Sequence, residues 1–273
     1  MTLLSRNKSL TAVIKTIGLS FFASVLLLNP SFVLANAEKG LEIAKERKLR
    51  DKGWQDSSAS MEMILKNSRG DTANRLMRMK SLEVEGDGDK GLTIFDEPRD
   101  VKGTAFLSHS HTQGADDQWL YLPALKRVKR ISSRNKSGPF MGSEFAYEDL
   151  TSFEIEKYDF LYLKDESIGK LSSYVVEQKP RDKKSGYKRQ IVWLDKEEYR
   201  PLKVEFYDRK DTLLKTLTFS DYEQYLDKYW RAHTLEMVNH QTGKSTVLRT
   251  KDIEFQTGLE ERDFKQSTLK RVK

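Results

Sequence analysis

The chain has 273 residues, a formal net charge of +7 and no cysteine. The lack of cysteine excludes disulfides, thiol catalysis and thiolate metal sites, and it removes the residue that is lipidated in bacterial lipoproteins. The length is sufficient for one domain with a continuous buried core.

The first residues have the layout of a cleavable secretory signal. Positive charge comes first, followed by a short apolar run from Ile17 to Leu28 and the small-x-small site Ala35-Asn36-Ala37. The positive residues are Arg6, Lys8 and Lys15. Between the run and the site, Asn29-Pro30 favours the extended backbone that a peptidase needs. The alternative is a retained membrane anchor, but the run is shorter than the roughly 20 apolar residues that span a bilayer.

We therefore predict a signal peptide over residues 1–37 and a mature chain, residues 38–273, that forms a single domain. Cleavage removes three basic residues and no acid, so the formal net charge falls from +7 to +4. The predicted location is the periplasm of a diderm bacterium. A protein exported there does not meet chromosomal DNA, which excludes nucleic acid as a partner.

One helix is predicted first, and strands follow to the end of the chain. Glu38 to Lys52 has apolar residues at helical spacing, and Gly53 ends the helix. From Trp54 onward the period changes to two, so that Met61 and Met63 alternate with polar residues. Clusters of Gly, Asp, Asn and Pro separate further alternating runs, which predict about eleven antiparallel strands. The predicted fold class is mainly β with few helices (α+β).

Two later segments depart from simple alternation. Residues 187–194 carry apolar side chains on both faces of their strand, which fits a sheet with one face covered by a helix or a curved neighbour. Pro123 to Leu150 is the least regular stretch and combines many basic residues with large apolar ones. The apolar side chains there either tuck under the loop or line a place where an apolar partner docks.

Several motifs identify a family resemblance. The most specific block includes Trp119-Leu120-Tyr121-Leu122-Pro123, Phe140-Met141-Gly142-Ser143 and Tyr147-Glu148-Asp149-Leu150. The helix around Gly40 to Arg50 and the Val192-Trp193-Leu194-Asp195 motif complete the pattern with the Leu259 to Leu269 tail. Over nearly all of the mature chain, this pattern resembles the LolA/LolB-like outer membrane lipoprotein-sorting proteins, in particular the branch associated with RND-type exporters.

The resemblance implies an incomplete antiparallel barrel of about eleven strands wrapped around helices. It also implies an apolar cavity between the sheet and the helices that shelters acyl chains. The cargo stays open among a lipoprotein, a free phospholipid and another lipid handled by a neighbouring transporter.

Methionine and aromatic side chains are the candidate lipid contacts, because they present large and adaptable apolar surface. Acyl chains need such contact, since exposing them to water costs about 0.8 kcal/mol for each methylene group. The candidates at the cavity or its mouth are Met61, Met63, Met77, Met79, Trp119, Tyr121, Phe140, Met141, Phe145, Tyr147, Trp193 and Met237. The alternative for each residue is ordinary core packing.

A basic cluster supplies candidates for contact with phosphate headgroups or an anionic membrane surface. There, each positive charge contributes about 1 kcal/mol. The candidates are Lys126, Arg127, Lys129 and Arg130. The alternative is a solvated strand and turn.

No constellation predicts catalysis or a metal site. His109 and His111 share one face of a predicted strand but lack a third ligand. Glu148 and Asp149 are neighbours, and neighbours in a strand point to opposite faces. No Gly-x-Ser-x-Gly elbow, Gly-rich phosphate loop or His-Glu-x-x-His motif occurs. We predict that the protein is not an enzyme and uses no cofactor.

The predicted function is that of a monomeric periplasmic carrier or chaperone. It binds the acyl chains of a lipoprotein or a phospholipid and transfers them between the inner membrane, or a transporter there, and the outer membrane, with transient contact to the membrane surface. The alternative is an accessory lipid-binding or interaction module of an RND-type exporter.

Overall fold

The computed structural model describes residues 30–271, so the charged and apolar parts of the predicted signal lie outside the described residues. Helix α1 (Pro30–Arg50) begins eight residues before the predicted start and includes the predicted cleavage site. The expected extended backbone is therefore not found at Pro30. The helix ends just before Gly53, whose φ of 96° favours glycine.

Thirteen strands follow the helix and form one sheet. They are β1 Asp56–Lys66, β2 Thr72–Leu82, β3 Lys90–Glu97, β4 Ala105–His109, β5 Asp117–Leu122, β6 Arg127–Arg130, β7 Tyr158–Ile168, β8 Leu171–Pro180, β9 Tyr187–Asp195, β10 Pro201–Asp208, β11 Leu213–Tyr225, β12 Tyr229–Asn239 and β13 Ser245–Phe255. Their order is β6-β5-β4-β3-β2-β1-β13-β12-β11-β10-β9-β8-β7. Every neighbouring pair is antiparallel.

The sheet is open, because its end strands β6 and β7 do not pair with each other. With α1 and the β6–β7 connection packed on one of its faces, it forms an incomplete barrel. It has thirteen strands rather than about eleven. One additional strand is β6, which lies in the stretch that the sequence presents as irregular. Three of its four residues are basic, so it lacks the apolar alternation by which strands are recognised. The mainly β architecture and the antiparallel sheet are confirmed.

The main core lies on the face of the sheet that α1 covers, which we call the inner face. Met61 and Met63 of β1 are buried in this core, as their alternation predicts. In β9, Val192 belongs to the same core, whereas Ile191 and Trp193 belong to a separate cluster on the outer face. The prediction that this strand carries apolar groups on both faces is confirmed.

Helix α1 lies close against β7, and a glycine permits the approach. A Cβ atom at Gly40 would lie 2.7 Å from the backbone nitrogen of Tyr162. That separation is shorter than non-bonded carbon and nitrogen atoms allow, so any larger residue forces the helix away from the strand. Gly40 therefore fixes how near α1 sits to the sheet.

The connection between β6 and β7 folds onto the inner face of the sheet. Phe140 is 1% exposed, and its ring centroid lies 5.8 Å from that of Phe95 and 5.1 Å from that of Phe106. The sequence left open whether the apolar residues of this segment pack under it or line a docking place. Phe140 and Phe145 pack beneath it. The segment therefore fills part of the barrel interior.

A buried ion pair anchors this segment to the sheet. The Lys215 ammonium donates to Asp149 Oδ2 over 2.6 Å, with side-chain exposures of 4% and 5%. Asp149 also accepts hydrogen bonds from the Tyr187 hydroxyl over 2.7 Å and from the Ala146 amide over 2.7 Å. The residues Tyr147–Leu150 form a 3-10 turn rather than a strand, so the expectation of opposite strand faces does not apply to Glu148 and Asp149.

The end of the chain covers part of the outer face. Phe264 and Leu269 of two short 3-10 segments pack into a cluster with Leu92 and Ile94 of β3. Within residues 30–271, no helix has both the length and the apolar character needed to cross a membrane.

Candidate functional site

The twelve candidate lipid contacts separate into three groups. Nine of them belong to the main inner-face core or pack against it, namely Met61, Met63, Met77, Met79, Phe140, Met141, Phe145, Tyr147 and Met237. Trp119 and Tyr121 pack in the outer-face cluster beneath the chain end, and Trp193 lies in the other outer-face cluster. None of the twelve lines the open cavities on either side of the α1 end or the groove beside β6. Their contact with lipid stays a prediction.

An open cavity lies instead between the C-terminal end of α1 and strands β10, β11 and β12. We call it the helix-end cavity, and its volume is ≈ 650 Å³. Its apolar wall consists of Trp54, Tyr199, Phe219, Tyr222, Trp230 and Leu235. Phe219 and Leu235 also contact the main core, so the cavity continues the inner face of the sheet.

Most of the arginines around the helix-end cavity are neutralised by carboxylates. Arg50 pairs with Glu46 over 2.7 Å on α1, and Arg200 pairs with the buried Asp195 over 2.7 Å. Arg231 pairs with Asp51 over 2.7 Å. These pairs fix the arginine side chains around the mouth without leaving net charge in it.

Arg47 is different. Its guanidinium carbon lies 4.2 Å from the ring centroid of Phe153, and it has no hydrogen-bond or ion-pair partner in the part of the chain that the structure describes. Burial lowers the pKa of Arg47, which the phenol of Tyr222 and the carboxylate of Asp51 partly offset. An arginine stays charged at neutral pH even so. The cavity therefore contains a partly buried positive charge that can receive an oxygen acceptor from a ligand.

Two other polar groups complete the cavity wall. The Trp230 indole N–H is buried and has no acceptor within residues 30–271. The Tyr222 hydroxyl donates to the Pro201 carbonyl over 2.5 Å, and burial raises the pKa of Tyr222 above its usual value. The wall is thus aromatic with a few donors, a composition typical of small-molecule sites.

A second, acidic cavity lies on the other side of the α1 end and has a volume of ≈ 1030 Å³. The Lys48 ammonium bridges there to Glu154 over 3.1 Å and to the Phe153 carbonyl over 3.0 Å. Burial raises the pKa of the nearby Asp89 to about 6, although the positive charge of Lys48 opposes the shift. Leu82, Val84, Ile155 and Leu259 also line this cavity, and its many carboxylates distinguish it from the helix-end cavity.

The basic cluster lies at the opposite edge of the sheet from β7. Lys126, Arg127, Lys129 and Arg130 are exposed. Arg130 pairs with Asp117, while the other three have no ion-pair partner among the described residues. Contact of these four residues with lipid headgroups stays a prediction.

The histidines have structural partners. Strand β4 ends at His109, so His111 lies in the following loop and does not share a strand face with it. His109 Nε2 is 2.7 Å from the Phe264 carbonyl oxygen, and His111 Nδ1 is 2.8 Å from Asp87 Oδ2. Between residues 30 and 271 no group of three or more potential ligands could hold a metal ion.

Sequence reasoning missed the helix-end cavity. Arg47, Tyr222 and Trp230 are far apart in the sequence and meet only because α1 crosses the ends of β10 to β12. The one local signal is the aromatic and basic run Tyr229-Trp230-Arg231 at the start of β12. Such a run marks a wall that is both apolar and charged, but it does not identify the opposite wall.

Comparison with known proteins identifies the family. A family model described as uncharacterized protein matches residues 87–271. A crystal structure of an outer membrane lipoprotein-sorting protein domain from Vibrio parahaemolyticus is 76% identical, covers 86% of this chain and 100% of its own, and superposes with a TM-score of 0.85. None of the curated proteins matches the chain.

Two further structures share the fold. A DUF1329 family protein from Desulfovibrio piger is 29% identical over 86% of this chain and 99% of its own, with a TM-score of 0.81. A LolA superfamily protein from Nitrosomonas europaea is 21% identical over 84% of this chain and 98% of its own, with a TM-score of 0.66. With 76% identity to it over most of its length, the chain belongs to the same family as the outer membrane lipoprotein-sorting protein domain from Vibrio parahaemolyticus, and it shares the fold of the LolA superfamily protein.

Proposed function

We propose that this protein binds the acyl chains of a lipoprotein or a lipid in the helix-end cavity and carries them between the inner and outer membranes. The observation that carries the proposal is an aromatic-walled cavity of ≈ 650 Å³ that contains Arg47, which stacks on Phe153 and has no carboxylate partner among the described residues. Its volume lies within the range of roughly 300–1,000 Å³ found for small-molecule sites. The lipoprotein-sorting description of the Vibrio relative supports a lipoprotein as the cargo.

The cavity wall suits a cargo that must be held and later released. Tyr222 and Trp230 offer broad apolar surface for methylene groups, each of which gains about 0.8 kcal/mol on leaving water. Arg47 can donate to an ester carbonyl or a phosphate oxygen, so a head group adjoining the chains has a partner. A site of this kind retains acyl chains without a covalent step, and we propose a non-enzymatic role.

We further propose that the protein acts in the periplasm, after export and cleavage of residues 1–37. The membrane donor is an inner-membrane transporter of the RND type or the bilayer itself. Alternatively, the protein is an accessory module that stays attached to such a transporter. A pull-down from membranes separates the two, because a module stays bound to the transporter whereas a carrier is recovered free of it.

A pair of matched variants tests the cavity. Ala232 lines the helix-end cavity, and Ala232→Trp fills it with an indole ring. Ala73→Trp places the same side chain at an exposed position of β2. We expect Ala232→Trp to weaken the binding of a fluorescent fatty acid at least about tenfold, or 1.4 kcal/mol, while Ala73→Trp leaves it unchanged. Equal binding by both variants, with unchanged circular dichroism, would remove the cavity from the function.

A further inference from the structure

Strand β6 leaves one edge of the sheet open. Within residues 30–271 it pairs only with β5. The Ile131 amide donates to the Gln118 carbonyl over 2.8 Å, which places hydrogen-bonded pairs with β5 at residues 131, 129 and 127. Alternate residues of an edge strand turn their N–H and C=O groups away from the sheet. Val128 and Arg130 therefore present unpaired backbone donors and acceptors outward.

Positive charge is concentrated along the same edge. A groove of ≈ 570 Å³ separates β6 from the 3-10 segment Gln266–Arg271 and includes Lys126, Arg127 and Lys270 in its lining. Together with Lys129 and Arg271, these exposed cations have no ion-pair partner among the residues that the structure describes. Of the described residues that line the groove, none is acidic. Their mutual repulsion is relieved when a negatively charged partner enters.

We propose that β6 and this groove bind an acidic polypeptide segment in extended conformation, which adds to the sheet beside β6. The backbone of such a segment satisfies the outward groups of Val128 and Arg130, and its carboxylates face Arg127, Lys129 and Lys270. Strand addition of this kind draws affinity from main-chain hydrogen bonds and specificity from the flanking side chains.

Two alternative roles for the β6 edge predict different behaviour. Charged residues on an edge strand also prevent self-association, a role that needs no partner. A phosphatidylglycerol bilayer satisfies the charges but supplies no N–H donors to the outward carbonyls of Val128 and Arg130. Binding that depends on the backbone N–H groups of the partner therefore distinguishes strand addition from protection against self-association and from membrane binding.

Fluorescence anisotropy with the full chain tests the proposal. The probe is a labelled ten-residue peptide of alternating Glu and Thr with blocked ends, used at low ionic strength because exposed charges are strongly screened by salt. A second peptide of the same sequence is N-methylated at alternate residues, which preserves its charge and removes donors. We expect the first peptide to bind and the methylated one to bind at least tenfold more weakly.

Variants of the protein give the complementary test. Val128→Pro removes an outward N–H without touching charge or the bonds to β5, and it is expected to weaken peptide binding severalfold. The triple reversal Arg127→Glu, Lys129→Glu and Lys270→Glu is expected to abolish binding. The matched control is a reversal of three exposed lysines elsewhere, Lys183→Glu, Lys188→Glu and Lys251→Glu.

Each contrary outcome overturns the proposal. No binding of the acidic peptide leaves protection against self-association as the role of the edge. Equal binding of both peptides means that charge alone acts, and binding to phosphatidylglycerol vesicles without peptide binding identifies a membrane surface. Because Ala232→Trp is expected to leave peptide binding unchanged, failure here is distinguishable from failure of the cavity.

Discussion

The buried pair between Lys215 and Asp149 supports a quantitative prediction about what holds the barrel interior together. In Lys215→Met, the Asp149 carboxylate keeps the Tyr187 and Ala146 donors but loses its countercharge at 4–5% exposure. Leaving a buried charge uncompensated costs about 3 kcal/mol. Asp149→Asn strands the ammonium instead and costs a similar amount.

The double variant Lys215→Met/Asp149→Asn carries no charge at this site. The amide oxygen of the asparagine introduced at position 149 can accept a hydrogen bond from the Ala146 backbone N–H, and its amide nitrogen can donate one to the Tyr187 hydroxyl oxygen. We therefore expect a total loss of about 2 kcal/mol in the free energy of unfolding, far below the sum of the single losses. Urea denaturation, followed by tryptophan fluorescence, gives the free energy of unfolding of the unmodified protein, the two single variants and the double variant.

An exposed pair provides the control for this cycle. Arg69 and Asp71 have side-chain exposures of 83% and 68%, and Arg69→Met is expected to cost less than about 0.5 kcal/mol. If the losses of Lys215→Met and Asp149→Asn simply add in the double variant, the two residues are not coupled. The ion pair would then not be what anchors the Phe140 to Leu150 segment.

Two further predictions concern α1 and the acidic cavity. Helix propensity alone would favour Gly40→Ala, but we expect this variant to lower the free energy of unfolding by about 1–3 kcal/mol, because the new Cβ lies 2.7 Å from the Tyr162 nitrogen. The control is Glu42→Ala on the exposed side of the helix. If Gly40→Ala instead stabilises the protein, the close contact between α1 and β7 is contradicted. Asp89 has a folded-state pKa raised from 3.8 to about 6, so its contribution to stability is present at low pH and is lost as the pH rises from about 4 through about 6. Asp89→Asn should therefore flatten the decline in the free energy of unfolding between about pH 4 and pH 6, and raise that free energy at pH 7.5 by about 1 kcal/mol after allowance for partial exposure. If the unmodified protein and Asp89→Asn have identical pH profiles, Asp89 titrates normally.

The strand pattern was predictable because alternation reports directly on which side chains are buried. Met61 and Met63 show this, and so do the opposite faces of Ile191 and Val192. Strand β6 was not predictable in the same way. It is defined by backbone pairing with β5, and backbone pairing leaves no hydrophobic pattern in a strand whose side chains are mostly charged and exposed.

The site was harder to predict than the fold. Methionines suit a lipid cavity by their chemistry, but Met61 and Met77 face each other on neighbouring strands β1 and β2 near the middle of the sheet and are buried in the main core. The open volume lies where α1 ends, and its walls come from positions 47, 54, 222 and 230. Sequence period assigns a side chain to a face of the sheet, but it does not tell where helix and sheet diverge.

The helix-end cavity is expected to accommodate hydrocarbon chains. Native mass spectrometry of the protein purified without detergent measures this directly. We predict a population carrying the added mass of a lipid, which is lost in Ala232→Trp and retained in Ala73→Trp. A protein that is uniformly empty, and that also fails to extract labelled lipid from vesicles, would contradict the claim.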